Sequence, residues 1–396
     1  MRIMFILTNK MLIYGGLEKV LSVVIDNLIK NSNNIKLICL SSNKESYDKS
    51  KWVDPFLKNK DKVDLFLIEE NIHFKKALLR SFFGFKYNYV NFIKQSIRDF
   101  MPDYIIVVGN PFPISSAKKA LKVNNIKAKV VYWDHGLLNY FLLKSKSKKF
   151  KSKLMGTIKL FLRKHIVKLH LKDADGFLAI SSGIKSKILS FLKNAKVYTV
   201  FNPLEPYNGG LILRSKIPTF LYVGRIDDGQ KNLSFMFNGL SKVKRDWKLI
   251  IVGTGPDEDK LKNLADFLGI SQKIEWRGFK KNPYENLNEG VTSLLLTSRF
   301  EGLPAVLIEA NQRGIPVISS NCETGPSDIV ILRVNGYLYP EGDMDAFVKI
   351  INDVIDETIG FGTPEEIAKT AERFSEDLVF NNIINALKKI GSDQEK

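Results

Sequence analysis

The sequence predicts an α/β fold made of two successive parallel-sheet domains, and three observations carry that prediction. Short apolar runs of strand length alternate with helical or polar segments through both halves of the chain, the pattern of a parallel sheet with helices on its faces. Several of these runs end in glycine-bearing or polar turns, and open parallel sheets bind their ligands beyond the carboxyl ends of the strands. Finally, 396 residues with 44% hydrophobic and 26% charged side chains suffice for two separate cores.

Taken in order, residues 2–7 read as a first buried strand. A polar loop then leads to Gly15-Gly16-Leu17-Glu18 and an apolar-periodic helix over 20–29. Such glycines either make a simple turn or let the backbone approach a phosphate or sugar at the helix start. Further strands are expected at 35–40, 64–68, 104–108 and 129–133. The last of these delivers Asp134 and His135 to a loop bounded by Gly136. Strands at 176–181 and 197–201 complete a first domain over 1–205, and Asn202-Pro203 with the polar stretch 205–210 reads as a hinge. The second domain, 206–375, opens with a strand at 219–224. Arg225 leaves its carboxyl end and Lys231 follows six residues later. An arginine offers a planar fork to diphosphate oxygens, and a lysine offers a mobile point charge. Strands at 248–252, which runs into Gly253-Thr254-Gly255-Pro256, at 274–279, at 292–298 and at 314–319 continue the second sheet. The tail holds a closing helix over 376–390.

The stretch SRFEGLPAVLIEA, 298–310, is the most informative in the chain. An apolar strand ends there in a turn with Gly302 and Pro304, Pro304 suits the first turn of a helix, and two carboxylates flank the junction. Unpaired N–H groups at such a helix start, around Gly302 and Leu303, attract phosphate or sugar oxygens. Glu301 lies on the turn and Glu309 one to two helical turns further on.

Charge is unevenly distributed. Residues 1–205 hold 37 Lys and Arg against 15 Asp and Glu, a net of +22, whereas 206–396 hold 23 against 27, a net of −4. A basic half suits an anionic membrane, an anionic acceptor or nucleic acid, although a genome that uses lysine freely would also explain part of such a bias. No helix-turn-helix, RNA-binding sheet motif or zinc finger favours nucleic acid. Residues 141–172 carry eleven Lys or Arg and no acid. Helical spacing of Leu154, Ile158, Phe161, His165 or Ile166 and Leu169 suggests a helix over 153–172 with an apolar stripe. It would lie on an anionic membrane surface or pack conventionally with a solvated basic face. The segment 75–92 alternates aromatics with cations in a similar way. Cys39 and Cys322 imply neither a disulfide framework nor a zinc cluster, which fits a reducing cytoplasm. The N-terminal apolar run is too short for a signal peptide, and no run reaches eighteen apolar residues.

Glu301 and Glu309 with seven residues between them, together with LAISSGIK, FNPLE, YVGRIDDGQKN, GIPVISSNCETGPSDIV and NGYLYPEGD, resemble the retaining nucleotide-sugar glycosyltransferases of family 4, group 1. Within that family GPSDIV resembles the galactosyltransferase-like branch rather than the Gly-Gly and Glu version common elsewhere. The resemblance is dense over 176–345 and otherwise limited to GGLEKV. It implies the GT-B architecture, two facing Rossmann-like domains with the active site in the interdomain cleft, the first binding the acceptor and the second the nucleotide sugar, with the closing helix returning to the first. It implies further that Gly15 and Gly16 lie beneath the diphosphate, that His135 approaches the donor sugar, and that Arg225 and Lys231 neutralise the leaving nucleoside diphosphate. Glu301, with N–H groups near Gly302 and Leu303, would hold the transferred hexose, and Glu309 the ribose hydroxyls. The expected reaction moves galactose or glucose from a UDP-sugar to a glycolipid or oligosaccharide in cell-surface polysaccharide synthesis. It would proceed without a cofactor or metal, since no Asp-x-Asp triplet is placed to hold Mg²⁺ against a diphosphate. A cytoplasmic protein, peripheral on the inner face of the plasma membrane and without nucleic-acid partners, is the corresponding expectation. A nucleotide-sugar epimerase on the same architecture, or a non-catalytic glycan- or lipid-binding scaffold, stays open at this point.

Overall fold

The computed structural model describes residues 1–8, 16–41, 63–67, 89–136, 161–162, 164–287 and 289–392. They form two compact units, Met1–Pro203 with Glu376–Lys396, and Leu204–Ser375.

The first unit is a seven-stranded parallel sheet. Its strands are β1 (Arg2–Thr8), β2 (Asn34–Ser41), β3 (Val63–Leu67), β4 (Tyr104–Val108), β5 (Lys129–Asp134), β6 (Gly176–Ala179) and β7 (Val197–Thr199), in the order β3-β2-β1-β4-β5-β6-β7. Strands β1, β4 and β5 are almost continuously buried, which requires the unbroken apolar runs seen in RIMFILT, YIIVV and VVYW. Phe5 pairs with Leu37 on one side and Ile106 on the other. The chain winds outward from β1 to β3 and then returns to β4, so the winding reverses between β1 and β4. There the Thr8 hydroxyl donates to the Val108 carbonyl at 3.3 Å and accepts from the Asn110 N–H at 2.6 Å.

The helix expected over 20–29 begins earlier, at the second glycine of the pair, and runs Gly16–Lys30. Gly15 lies outside the described residues, as do most of 75–92 and, within 153–172, residues 153–160 and 163. In the described part of the latter, 161–162 and 164–171 are helical, but the apolar stripe differs from the expected one. Ile166, Val167 and Leu171 are buried, whereas Phe161 and Leu169 are largely exposed. The helix is apolar on two sides, and the side bearing Ile166, Val167 and Leu171 is the one that packs inward. The closing helix, Glu376–Gly391, buries Val379, Ile383, Ala386, Leu387 and Ile390 in this same unit. Ile390 lies where a Cβ on Gly176 would sit, 2.5 Å from its Cδ1.

The second unit is a six-stranded parallel sheet, ordered β10-β9-β8-β11-β12-β13. Its strands are β8 (Thr219–Val223), β9 (Lys248–Val252), β10 (Ile274–Trp276), β11 (Ser293–Leu296), β12 (Val317–Asn321) and β13 (Gly336–Pro340). Phe220, Tyr222, Phe237, Trp247, Tyr339 and Phe347 are the large members of its core. Besides the shorter strands at 274–276 and 293–296, two details differ from the sequence reading. The strand expected at 314–319 starts at Val317, because 313–316 is the turn closing the preceding helix. Strand β13 was not expected at all, and its terminal Pro340 is tolerated because β13 is the sheet edge. The reversal of winding in this unit falls between β8 and β11.

Candidate active site in the second unit

Where neighbouring strands wind in opposite directions, the loops after their carboxyl ends part and leave a crevice. The loops after β8 and β11 bear Arg225, Lys231 and Glu301.

Strand β8 ends at Val223, and Gly224-Arg225 turns away. The Tyr222 hydroxyl donates to the Arg225 carbonyl at 2.7 Å. The guanidinium of Arg225 forms an ion pair with Asp227 and is 63% exposed. Asp227 also caps the single-turn helix Asp228–Lys231 by accepting from the Gln230 N–H. This turn is held from below by several bonds. Asp228 accepts from the Ser234 N–H and from Lys260 Nζ, each at 2.8 Å, and Arg299 Nη1 donates to the Asp228 carbonyl at 2.6 Å. Burial opposes the charge on Asp228, but the bonds from Lys260 and Ser234 outweigh it and hold the carboxyl below its usual range. The Thr297 hydroxyl, just past β11, donates to the Lys231 carbonyl at 2.9 Å.

These bonds deliver Lys231 Nζ to Glu301 Oε1 at 2.7 Å, with both side chains largely buried. The structure thus joins two residues seventy positions apart. The buried carboxylate charge is felt nearby: burial first, then Glu301, pushes the Cys322 thiol up to about 11. The same two causes raise the Tyr222 phenol far above its ordinary range. Around Glu301 the backbone is clamped by the loop after β12. Thr324 donates its hydroxyl to the Glu301 carbonyl. Gly325, at φ +97°, lies so close that a Cβ there would come within 2.8 Å of the Gly302 carbonyl oxygen. A side chain at 325 would be strained and would push into the turn.

Gly302 and Leu303 continue this turn, with the Leu303 side chain buried. Pro304 is the residue before the helix rather than within its first turn, and the helix Ala305–Gln312 has no side-chain cap. Its first N–H groups are therefore available to an anion or a sugar oxygen. Glu309 lies on this helix with a separate set of neighbours. Its Oε2 is 3.5 Å from the Tyr284 hydroxyl, and its carbonyl accepts from Arg313 Nη1 at 2.8 Å.

Gly16 and His135 belong to the first unit. Gly16 opens the helix after β1. His135 follows β5, with its ring 4.6 Å from that of Trp133. Its Nε2 is enclosed without a hydrogen-bond partner among the described residues. Burial lowers the imidazole to about 3, so it is neutral at physiological pH and contributes no positive charge. No group of three or more His, Cys, Asp or Glu among the described residues is arranged to hold a metal ion.

Sequence reasoning named the charged residues but missed their supports, namely Asp227, Asp228, Lys260, Tyr284, Thr297, Arg299, Thr324 and Gly325. Asp227, Asp228, Arg299, Thr324 and Gly325 carried a signal only as members of the stretches YVGRIDDGQKN, SRFEGLPAVLIEA and GIPVISSNCETGPSDIV already singled out. The others are ordinary side chains whose role depends on which strands are adjacent.

Residues 210–375 match the family model Glycosyl transferases group 1. The chain is 40% identical over 223 residues to the lipopolysaccharide 1,6-galactosyltransferase of Salmonella typhimurium, covering 54% of this chain and 61% of that protein. Against the Escherichia coli protein of the same name it is 33% identical over 274 residues, covering 67% and 69%. A solved structure, lipopolysaccharide outer core galactosyltransferase WaaB in its apo form, superposes with a TM-score of 0.81 at 30% identity over 98% of this chain and 99% of its own. With both parallel-sheet units accounted for in that superposition, and a third of the aligned residues shared over 69% of the Escherichia coli protein, the chain belongs to the group 1 glycosyltransferases.

Proposed function

We propose that this glycosyltransferase moves a hexose, galactose or glucose, from a UDP-sugar to a saccharide acceptor in the synthesis of cell-surface polysaccharide, with retention at the anomeric carbon. The observation that carries the reading is the Lys231–Glu301 pair, 2.7 Å apart beside the uncapped helix Ala305–Gln312. The relatives named as lipopolysaccharide 1,6-galactosyltransferases support galactose and a lipopolysaccharide-like acceptor.

The chemistry follows from charge. Cleavage of the sugar–phosphate bond leaves an oxocarbenium-like carbon and a departing diphosphate, so groups that stabilise the developing negative charge accelerate it. Lys231 and Arg225 supply that charge, and the N–H groups at the start of the Glu309 helix add to it. Both cations are already paired with carboxylates, so an incoming diphosphate competes with Asp227 for Arg225 and with Glu301 for Lys231. Glu301 then accepts hexose hydroxyls with its remaining oxygen, and Glu309 accepts the ribose hydroxyls. His135, neutral, offers hydrogen bonding to the sugar, and Gly15 and Gly16 permit close approach of the diphosphate. No metal is required in this reading, and the first unit, basic overall, faces the acceptor and an anionic membrane surface on the cytoplasmic side.

The test measures UDP release from UDP-galactose and UDP-glucose with and without a glycolipid acceptor. Release that depends on acceptor is expected. Arg225→Ala is expected to lower turnover by about 100-fold with donor affinity little changed, the magnitude seen when one charge-stabilising donor is removed. Glu309→Ala is expected mainly to raise the KM for donor. Full activity in both variants would overturn the assignment.

A further inference from the structure

Glu309 can discriminate a ribose only if its carboxylate is held in one orientation, because a pair of hydroxyls needs two oxygens in a fixed plane. The described structure shows what could hold it. Tyr284 is 7% exposed, and its hydroxyl is shared between the Val306 carbonyl at 3.3 Å and Glu309 Oε2 at 3.5 Å. Burial, reinforced by the Glu309 charge, keeps this phenol protonated, so it faces the carboxylate as a donor at every working pH. Catalytic hydrogen bonds are often this long before substrate tightens them.

The Tyr284 ring is itself fixed. The Arg313 guanidinium lies 4.2 Å from its centroid and 4.1 Å from that of Tyr207, a cation held between two aromatic faces. Arg313 stands four residues after Glu309 and closes the arrangement by donating to the Glu309 carbonyl at 2.8 Å. The Tyr207 hydroxyl is anchored in turn on the Gly210 carbonyl at 2.9 Å.

We infer that Tyr284 and Arg313 are positioning residues for Glu309 and thereby set the preference of this enzyme for ribonucleotide over 2′-deoxyribonucleotide donors. The inference rests on the assignment of Glu309 to the ribose hydroxyls. Neither residue touches the nucleotide. Tyr284 orients the carboxylate, and Arg313 orients Tyr284.

The test compares binding of UDP and 2′-deoxy-UDP by calorimetry in the full-length protein and in single variants. The wild type is expected to favour UDP by about tenfold or more, the worth of a hydrogen bond to a charged group. Tyr284→Phe keeps the ring between Arg313 and the core and removes only the hydroxyl. It is expected to shrink the UDP preference about three- to tenfold while turnover at saturating donor stays within about twofold, the range of one hydrogen bond. Arg313→Lys keeps the charge but loses the planar stack, and is expected to shrink the preference in the same way. A purely structural role would weaken both nucleotides equally and leave their ratio unchanged, and that result in Tyr284→Phe would overturn the inference. Glu309→Ala separates the two levels. If it abolishes the preference while Tyr284→Phe preserves it, only the positioning role is wrong. If Glu309→Ala itself preserves the preference, the ribose assignment is wrong and the inference goes with it.

Discussion

At the scale of single residues, the site is built from charges that are already matched. Lys231 and Glu301 meet at 2.7 Å with 17% and 9% of their side chains exposed, and Arg225 meets Asp227 at the surface. Removing one member of a largely buried pair leaves the other uncompensated, so single substitutions there combine loss of stability with loss of function. His135 is the opposite case, an enclosed neutral base. Its proton affinity is lowered by burial to about 3, against about 6.5 in an unfolded chain. Between those two values the unfolded chain binds the additional proton. The contribution of His135 to stability is therefore fully present above about pH 6.5 and is lost as the pH falls towards 3. In denaturant titrations, the difference in stability between pH 7.5 and 5.5 is expected to be smaller in His135→Gln than in the wild type by about 1 kcal/mol. An equal pH response in the two proteins would show that the imidazole takes up its proton while folded.

At the scale of elements, two turns decide where the functional side chains point. The loops after β8 and β9 touch backbone to backbone. At Gly253, φ +143°, a Cβ would lie 1.9 Å from the Gly224 carbonyl oxygen. Gly253→Ala must therefore drive apart the turn that presents Arg225. It is expected to destabilise the second unit by about 2–4 kcal/mol and to depress transferase activity as well, the size typical of a strained backbone combined with overpacking. Gly360, with no neighbour within 4 Å of its would-be Cβ, is the control, and Gly360→Ala is expected to be close to neutral by thermal denaturation. The second turn is 301–304, clamped by Thr324 and Gly325 from the loop after β12. Of the GPSDIV stretch, Gly325 thus bears on the turn that holds Glu301 although it carries no charge.

At the scale of the whole molecule, the net charge of +18 resides in the first 205 residues, which carry +22. No described helix is long and apolar enough to cross a membrane. Attraction to an anionic surface through such a charge is screened by salt, the Debye length falling from about 10 Å at 0.1 M to about 3 Å at 1 M. In sedimentation with phosphatidylglycerol vesicles, the full chain is expected to bind at 0.1 M salt, to release at 1 M, and to ignore phosphatidylcholine. Replacing Lys164, Lys168 and Lys172 together by Glu is expected to weaken the binding by about 100-fold or more, at roughly 1 kcal/mol for each surface cation. Binding indifferent to salt would show that the charge bias has no such partner.

The sequence by itself determined both parallel sheets and the helix that carries Glu309. A strand buried on two faces must be a continuous apolar run, and the helix start after Gly302 is written in adjacent residues. Edge strand β13 escaped because an edge does not need such a run. The stripe of the 161–171 helix was misread because both its sides are apolar, and only packing chooses between them. What the tertiary structure alone decided is the pairing. Lys231 with Glu301, Arg299 with the 228–229 carbonyls, and Tyr284 with Glu309 are contacts between segments that are distant in the chain. The first two exist because β8 lies beside β11, the third because the segment between β10 and β11 packs on the helix after β11, and such adjacency is a property of the winding of the whole sheet, which no local stretch of residues encodes.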